Sequence, residues 1–529
     1  MPDRRQIFVS LQITPTAGVS HVLTFDLLTV AAMSLGLLTG MFSALRKTAL
    51  PGLLAGAALI AGLAHVVIEG TRWQLAPGYF VLAGWLVVLV AKVTPGAGIW
   101  LANRPRWLVL TTRGSAFALL ALSLGASYLF PMFQLPQPSG PLPIGTTTLH
   151  FTDQSRREPH TVAPFDRREL LVHVWYPSAP KAAAKPVAYM ENADVMSPAL
   201  AKGFSVPLPF AFTHFKLIPT HSFAAAPLSG EKVEYPVLVF SHGRDIYAVA
   251  YTALMEDLAS RGYVVFAIDH TYGAMATALP DGRVATFVED VYERHGRRPP
   301  TSPEEQARIR AVSSSTDPHE ISAFIQQTRR ADPEHAAFTH YGIAIWSDDQ
   351  RFVLDEIQKL QSGQVPSLFA GHLDLSKLGI FGMSFGGSAT VMTCSADPRC
   401  KAGLNLDGFS PELLALPPAQ QPFLYASGGE QNFNLALFDR GPNWNYWLKV
   451  VNSRHGDFTD LPLVTPLWKF AHLSGSIPPY RMLGITNNYV AAFFDKHLRG
   501  APAPLLDGPS PRYPEVLLRI KPPGHTPTS

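Results

Sequence analysis

Leu378-Gly379-Ile380-Phe381-Gly382-Met383-Ser384-Phe385-Gly386-Gly387 is an apolar run that stops at a glycine, presents one serine and continues as Ser388-Ala389-Thr390-Val391-Met392. The pattern predicts a strand, a tight turn and a helix. A serine on so sharp a turn is held in a strained backbone conformation with its hydroxyl exposed, and glycines two residues to either side let the flanking chain approach closely. Gly382 and Gly386 meet that demand. The backbone N–H of Phe385 opens the following helix, where it is positioned to stabilise an oxyanion. A glycine-rich turn before a core helix reads the same way in isolation, so the rest of the chain has to supply partners for the serine.

Outward from this stretch, strands and helices alternate. Leu170 to Pro177 reads as a strand ended by proline. Pro236 to Phe240 is fully apolar, as strands buried on both faces are, and ends at Ser241-His242-Gly243-Arg244. Ala253 to Arg261 has helical spacing and stops at Gly262, and Tyr263 to Ile268 is a further apolar strand that ends at Asp269-His270. A helix from about Trp346 to Leu360 leads back to the strand before Ser384. Beyond it, Ala402 to Leu406 ends at Asp407, Pro422 to Ala426 is another strand, and Trp447 to Val451 precedes the loop Asn452 to Phe458. Repeated β-α-β units imply right-handed crossovers and a parallel sheet, with polar residues at the strand carboxyl ends where such sheets build their sites.

A serine hydroxyl needs an imidazole to take its proton and a carboxylate to fix the imidazole tautomer. In the α/β-hydrolase fold, a mostly parallel sheet with helices on both faces, these follow in the order serine, acid, histidine. Asp407 and His455 provide that order, each after an expected strand. His242 and His270 precede the serine, and Asp457 and Asp460 share the histidine's own loop, so these are the weaker candidates. The second oxyanion donor is expected from the loop after an earlier strand. Ser241 to Arg244 fits, with the N–H of Arg244 as donor and His242 and Gly243 as structural support.

Val239-Phe240-Ser241-His242-Gly243, Gly382 to Thr390, Leu406-Asp407-Gly408 and His455-Gly456-Asp457-Phe458-Thr459-Asp460 resemble the plasma-type platelet-activating-factor acetylhydrolases. The likeness runs from roughly Leu170 to Arg499. It implies a calcium-independent serine esterase, with no metal or organic cofactor, that removes short or oxidised acyl groups from phospholipids. It implies Ser384 as nucleophile, Asp407 and His455 as partners, and the amides of Phe385 and Arg244 as the oxyanion hole. The chain departs from the family at Met383, where histidine is usual, and at Arg244, where an apolar residue is usual. A guanidinium at the pocket mouth suits a headgroup phosphate. Two alternatives share some of these residues: a general carboxylesterase or serine peptidase of the same fold, and a membrane binding protein without catalysis.

The first quarter of the chain reads differently. Val22 to Phe42, Ala49 to Ile68, Gly78 to Val93 and Ser115 to Phe133 are apolar, Gly/Ala-rich runs, read as four membrane spans within a region covering residues 1–133. The third is short, and its Lys92 has to snorkel to an interface. Asp26 and His65 inside these runs fit tolerated interfacial residues. Arg46, Lys47, Lys92, Arg104, Arg106 and Arg113 collect after spans one and three, against Arg4, Arg5 and Arg72 on the other side. The positive-inside rule then places the large C-terminal domain in the periplasm or cell exterior, on a bacterial cell membrane, and the placement reverses if the third run does not cross.

Four prolines between Gln134 and Gly145 predict an extended spacer within a linker at residues 134–150, followed by a catalytic domain at 151–520 and a tail at 521–529. Tyr189 to Leu228 reads as an irregular apolar cover over a pocket, and Val284 to His340 as a helical insertion. Cys394 and Cys400 either form one local bridge or are small buried hydrophobes. A formal net charge of +3 over 529 residues gives no case for nucleic acid, and no zinc-type spacing or P-loop occurs.

Overall fold

The computed structural model describes residues 24–39, 48–94, 96–97, 99, 103–288, 302–429 and 431–524. The apolar runs of the first quarter form helices α1 (Thr24–Thr39), α2 (Leu50–Ile68), α3 (Ala76–Val93) and α4 (Arg106–Leu129). Val30, Met33, Leu37, Ala58, Val81 and Leu120 pack together between them. Their outer surface stays apolar: Ile60 is 71% exposed, Val67 80% and Phe80 73%.

Four spans were expected, and here the structure differs. Among the described residues, two helical stretches, Trp73–Lys92 and Arg106–Leu129, are long and apolar enough to cross a membrane. Val30–Thr39 and Gly52–Ile68 are shorter. At ~1.5 Å per residue an α-helix needs ~20 residues to cross ~30 Å of hydrocarbon. The third expected run is therefore among the two that qualify, because the turn Trp73–Leu75 extends it at its start. The fourth begins at Arg106, after Pro105, which moves Arg106 and Arg113 from a loop into the helix. Residues 22–23 and 40–42 of the first expected span, together with Arg4, Arg5, Arg46 and Lys47, lie outside the described residues.

Most strands of the remainder join one eleven-stranded sheet. In chain order they are β1 (Ile144–Arg157), β2 (Arg167–Pro177), β3 (Pro186–Ala188), β4 (Pro219–Ala224), β5 (Tyr235–Ser241) and β6 (Val264–Asp269). A separate hairpin, β7 (Ala276–Ala278) and β8 (Val284–Thr286), is followed by β9 (Leu373–Met383), β10 (Ala402–Leu406), β11 (Phe423–Ser427), β12 (Asn445–Val450) and β13 (Val516–Lys521). The sheet order is β13-β12-β11-β10-β9-β5-β6-β2-β1-β4-β3. Its central run from β12 to β6 is parallel throughout, and antiparallel pairs close the two sides. This is a mixed α/β fold consistent with the α/β-hydrolase expectation.

Every residue of β5, β6, β10 and β11 is buried, which is why these segments read as unbroken apolar runs. The flanking helices are α5 (Ala193–Gly203), α6 (Thr252–Ser260), α7 (Pro303–Ser314), α8 (Pro318–Ala331), α9 (Pro333–Gln361), α10 (Phe385–Ala396) and α11 (Pro479–Arg499). Ser302 caps α7 by accepting from Glu305 N, and Asp317 caps α8 by accepting from His319 N. The expected insertion is thus helical from Pro303 onward, whereas its first residues form β8; residues 289–301 lie outside the described residues. α9 starts well ahead of the expected Trp346, at Pro333.

The proline-rich stretch is not a free spacer. Its prolines hold it extended while Phe133, Leu135 and Leu142 go into the core. Ser139 donates through N and Oγ to Asp257 Oδ1 at 2.8 and 2.6 Å, and Gly140 N donates to Ser260 Oγ at 3.0 Å. The expected irregular cover carries α5 and β4, the latter paired in parallel with β1. Trp73 Nε1 donates to Ala211 O at 3.1 Å, so this cover packs against the N-terminal helices. Cys394 and Cys400 are joined in a disulfide. Of the tail, residues 525–529 lie outside the described residues.

Candidate active site

β9 ends at Met383, and Ser384 takes φ 55° and ψ −120° before α10 begins. A non-glycine residue there is strained, and its surroundings must hold it. They do so by close approach. A Cβ at Gly382 would lie 2.4 Å from the carbonyl of Gly386, and one at Gly386 only 2.3 Å from Ser241 O and 2.4 Å from His242 O. The two glycines let the helix start, the strand end and the Ser241–Arg244 loop meet at the serine.

Asp407 follows β10 with φ 54°. Its Oδ1 accepts from Gly428 N at 2.9 Å, and its Oδ2 accepts from His455 Nδ1 at 2.7 Å. His455 Nε2 in turn lies 2.9 Å from Ser384 Oγ. A carboxylate only accepts, so Nδ1 carries the proton and Nε2 is left to accept from the serine hydroxyl. The Asp407 side chain is 5% exposed and that of His455 46%, so the acid is enclosed and the imidazole is open to its surroundings. The three residues singled out in sequence are one hydrogen-bonded chain.

The weaker candidates hold other positions. Asp457 Oδ2 accepts from Arg454 N and Gly475 N, both at 2.7 Å, and so fixes the short helical turn that presents His455. Burial nevertheless pushes its carboxyl up. Asp460 is buried, accepting from Ala253 N at 3.2 Å, and burial raises its carboxyl well above the usual range. His242 is buried, and burial pushes its imidazole down. Its Nε2 accepts from His270 N at 3.2 Å, so Nδ1 carries the proton that bonds Gly243 O at 2.6 Å. Gly243 N donates to Tyr251 Oη at 3.2 Å. His242 and Gly243 thus hold the loop through these bonds.

Ser384, Arg244 and His455 line the wall shared by two cavities. The larger, about 600 Å³, is apolar and bounded by Phe130, Phe204, Val206, Met275 and Trp468. The smaller, about 390 Å³, is more polar and includes Phe385, His335, Thr339 and Ser410. Phe130 immediately follows α4, so the apolar chamber adjoins the end of a candidate span.

Residues 129–501 match the family model described as platelet-activating factor acetylhydrolase, isoform II. The chain belongs to that family. Within it, this acetylhydrolase-family chain is 24% identical over 444 residues to a probable 1-alkyl-2-acetylglycerophosphocholine esterase of Arthroderma benhamiae, a match covering 77% of this chain and 99% of the relative. It is 26% identical over 299 residues to the platelet-activating factor acetylhydrolase of Gallus gallus, covering 52% of this chain and 64% of that one. Among solved structures, a ferulic acid esterase from Streptomyces cinnamoneus superposes with a TM-score of 0.54 at 29% identity, covering 73% of this chain and 99% of the other. The family member described here is an ester hydrolase.

Sequence reading missed Asn405. Its Nδ2 donates to Gly408 O at 2.7 Å and its Oδ1 accepts from Gly408 N at 2.8 Å, which pins the turn that carries Asp407. A fully buried polar residue inside the apolar strand Ala402–Leu406 was the available signal.

Proposed function

We propose that the protein is a membrane-anchored serine esterase in which Ser384, Asp407 and His455 act as nucleophile, orienting acid and general base. Its proposed substrates are phospholipid-like esters carrying a short or oxidised acyl group. The observation that carries the proposal is the Asp407–His455–Ser384 chain, with bonds of 2.7 and 2.9 Å, at the wall shared by two cavities. Ser384 Oγ attacks the ester carbonyl carbon while His455 Nε2 takes its proton and then delivers it to the departing alkoxide. The acyl group stays on Ser384 until water, deprotonated by His455, releases it as a carboxylic acid. The amides of Phe385 and Arg244 are assigned to the oxyanion that forms at each step.

An amphiphilic ester suits the two chambers: hydrocarbon in the apolar one beside Phe130 and Trp468, polar group in the other beside Arg244. Anchoring rests on the two span-length helices and the apolar outer surface of the bundle. We read all four N-terminal helices as membrane-embedded. The Cys394–Cys400 disulfide favours an oxidising compartment, hence the extracytoplasmic side. A second reading, a general carboxylesterase, is favoured by the likeness to the ferulic acid esterase.

The test is a panel of short-acyl phospholipids, long-acyl phospholipids and aryl esters, assayed with wild type and Ser384→Ala in membranes. Preference for short-acyl phospholipid with loss of all turnover in the variant supports the proposal. Preference for aryl esters favours the second reading, and equal turnover by the variant overturns both.

A further inference from the structure

A second Ser–His–Asp chain lies inside the protein, beneath the first. Asp349 and Gln350 of α9, His270 at the end of β6 and Ser241 at the end of β5 are all fully buried. His270 Nδ1 lies 2.8 Å from Asp349 Oδ2, and His270 Nε2 lies 2.9 Å from Ser241 Oγ. Ser241 lines neither cavity beside Ser384 and has no exposed surface, so this chain has no route to a substrate.

The hydrogen bonds run in one direction only. Arg168 of β2, also fully buried, donates to both oxygens of Asp349 through Nε at 3.0 Å and a terminal nitrogen at 2.6 Å. Burial opposes ionisation of Asp349, but Arg168, with His270 and Arg156, outweighs it and holds the carboxyl well below the usual range. A carboxylate only accepts, so His270 Nδ1 carries the proton and Nε2 accepts from Ser241 O–H. The Ser241 oxygen then accepts from Gln350 Nε2 at 2.9 Å. Gln350 Nε2 also donates to Thr390 Oγ1 at 3.2 Å, and Thr390 Oγ1 donates to Gly386 O at 2.9 Å. Both ends of this network touch the machinery above it. Ser241 begins the loop that carries the Arg244 amide, and Gly386 follows the Phe385 amide. His270 N also holds His242, and the ring of Trp346, stacked on His270 at 3.9 Å, meets Phe385 edge-on at 5.0 Å.

We propose that Asp349, His270, Ser241 and Gln350 are positioning residues that fix the spacing between the Arg244 and Phe385 amides, so that both reach the oxyanion together. The inference rests on the triad reading above and concerns the rate of the chemical step, since none of the four touches substrate. Misplacing reacting groups by ~1 Å costs up to ~100-fold, and losing one oxyanion donor ~100- to 1,000-fold. A loosened but present donor costs less than a lost one, at ~10-fold or more.

The experiment compares full-length wild type, Ser241→Ala and His270→Asn with p-nitrophenyl acetate, with active sites counted by stoichiometric release from diethyl p-nitrophenyl phosphate. Per titrated site, both variants are expected to lose about tenfold or more in kcat with KM within about twofold. Affinity for a trifluoromethyl ketone, which forms a tetrahedral adduct, is expected to fall by a similar factor. Ser241→Ala removes one oxygen atom and decides the matter if His270→Asn does not fold. Unchanged kcat per titrated site in Ser241→Ala, or a loss confined to KM, overturns the inference while leaving the triad reading intact. A wild type that neither turns over nor titrates overturns the triad reading itself.

Discussion

Gly386→Ala is the perturbation whose effect the geometry states most directly. Its added Cβ would stand 2.3 Å from Ser241 O and 2.4 Å from His242 O, whereas ordinary contact begins at 3.4 Å. The obstacles are backbone carbonyls, not side chains that can swing away. The Ser241–Arg244 loop and the first turn of α10 must therefore separate by about 1 Å. Overpacking of this kind costs ~1–3 kcal/mol of stability. A ~1 Å shift between nucleophile and oxyanion donors costs up to ~100-fold in rate. Gly484→Ala is the control, because a Cβ there meets nothing within 4 Å and alanine is the better helix former inside α11. The assay is kcat/KM for p-nitrophenyl acetate per titrated site, with the melting temperature of each variant. The expected outcome is a loss of tenfold or more and a lower melting temperature for Gly386→Ala, against unchanged activity and an equal or higher melting temperature for Gly484→Ala. Wild-type activity and stability in Gly386→Ala would refute the close-approach reasoning.

Two further outcomes are expected. Asp407→Asn keeps the size of the side chain but lets an amide face His455 Nδ1, which moves the imidazole proton to Nε2. Turnover should then fall ~1,000- to 10,000-fold with the fold intact, and a loss below tenfold would contradict the assigned orienting role. Asp460→Asn tests a buried acid. Burial raises its folded carboxyl well above 3.8, so the protein loses stability as pH rises from that value toward the folded one. Asparagine mimics the protonated form, so the melting temperature gained by the variant should be small at pH 4 and larger at pH 8; a gain that does not grow with pH would refute the argument.

The centre of the fold was legible because β5, β6, β10 and the second half of β9 are buried on both faces and end in, or are followed at once by, polar residues, a pattern local to each segment. Ser384, Asp407 and His455 were legible for the same reason: each follows such a strand, in an order with chemical meaning. What the sequence did not show depends on distant partners. Arg168 and Asp349 are 181 positions apart and His270 and Asp349 are 79 apart, and no spacing rule joins them. The proline-rich stretch has a spacer's composition, and its bonds to Asp257 and Ser260, with the burial of Leu135 and Leu142, make it part of the core. The N-terminal runs were counted by hydropathy, which does not fix where a helix starts, so their lengths changed once Trp73 and Pro105 set the boundaries.

Covalent labelling tests the central claim most directly. Folded full-length protein is treated with a fluorophosphonate, and the modified peptide is located by mass spectrometry. The account predicts one stoichiometric adduct on Ser384, slowed by orders of magnitude in His455→Ala and absent in Ser384→Ala. An unmodified Ser384 in folded protein, or an adduct on another residue that persists in Ser384→Ala, would contradict it.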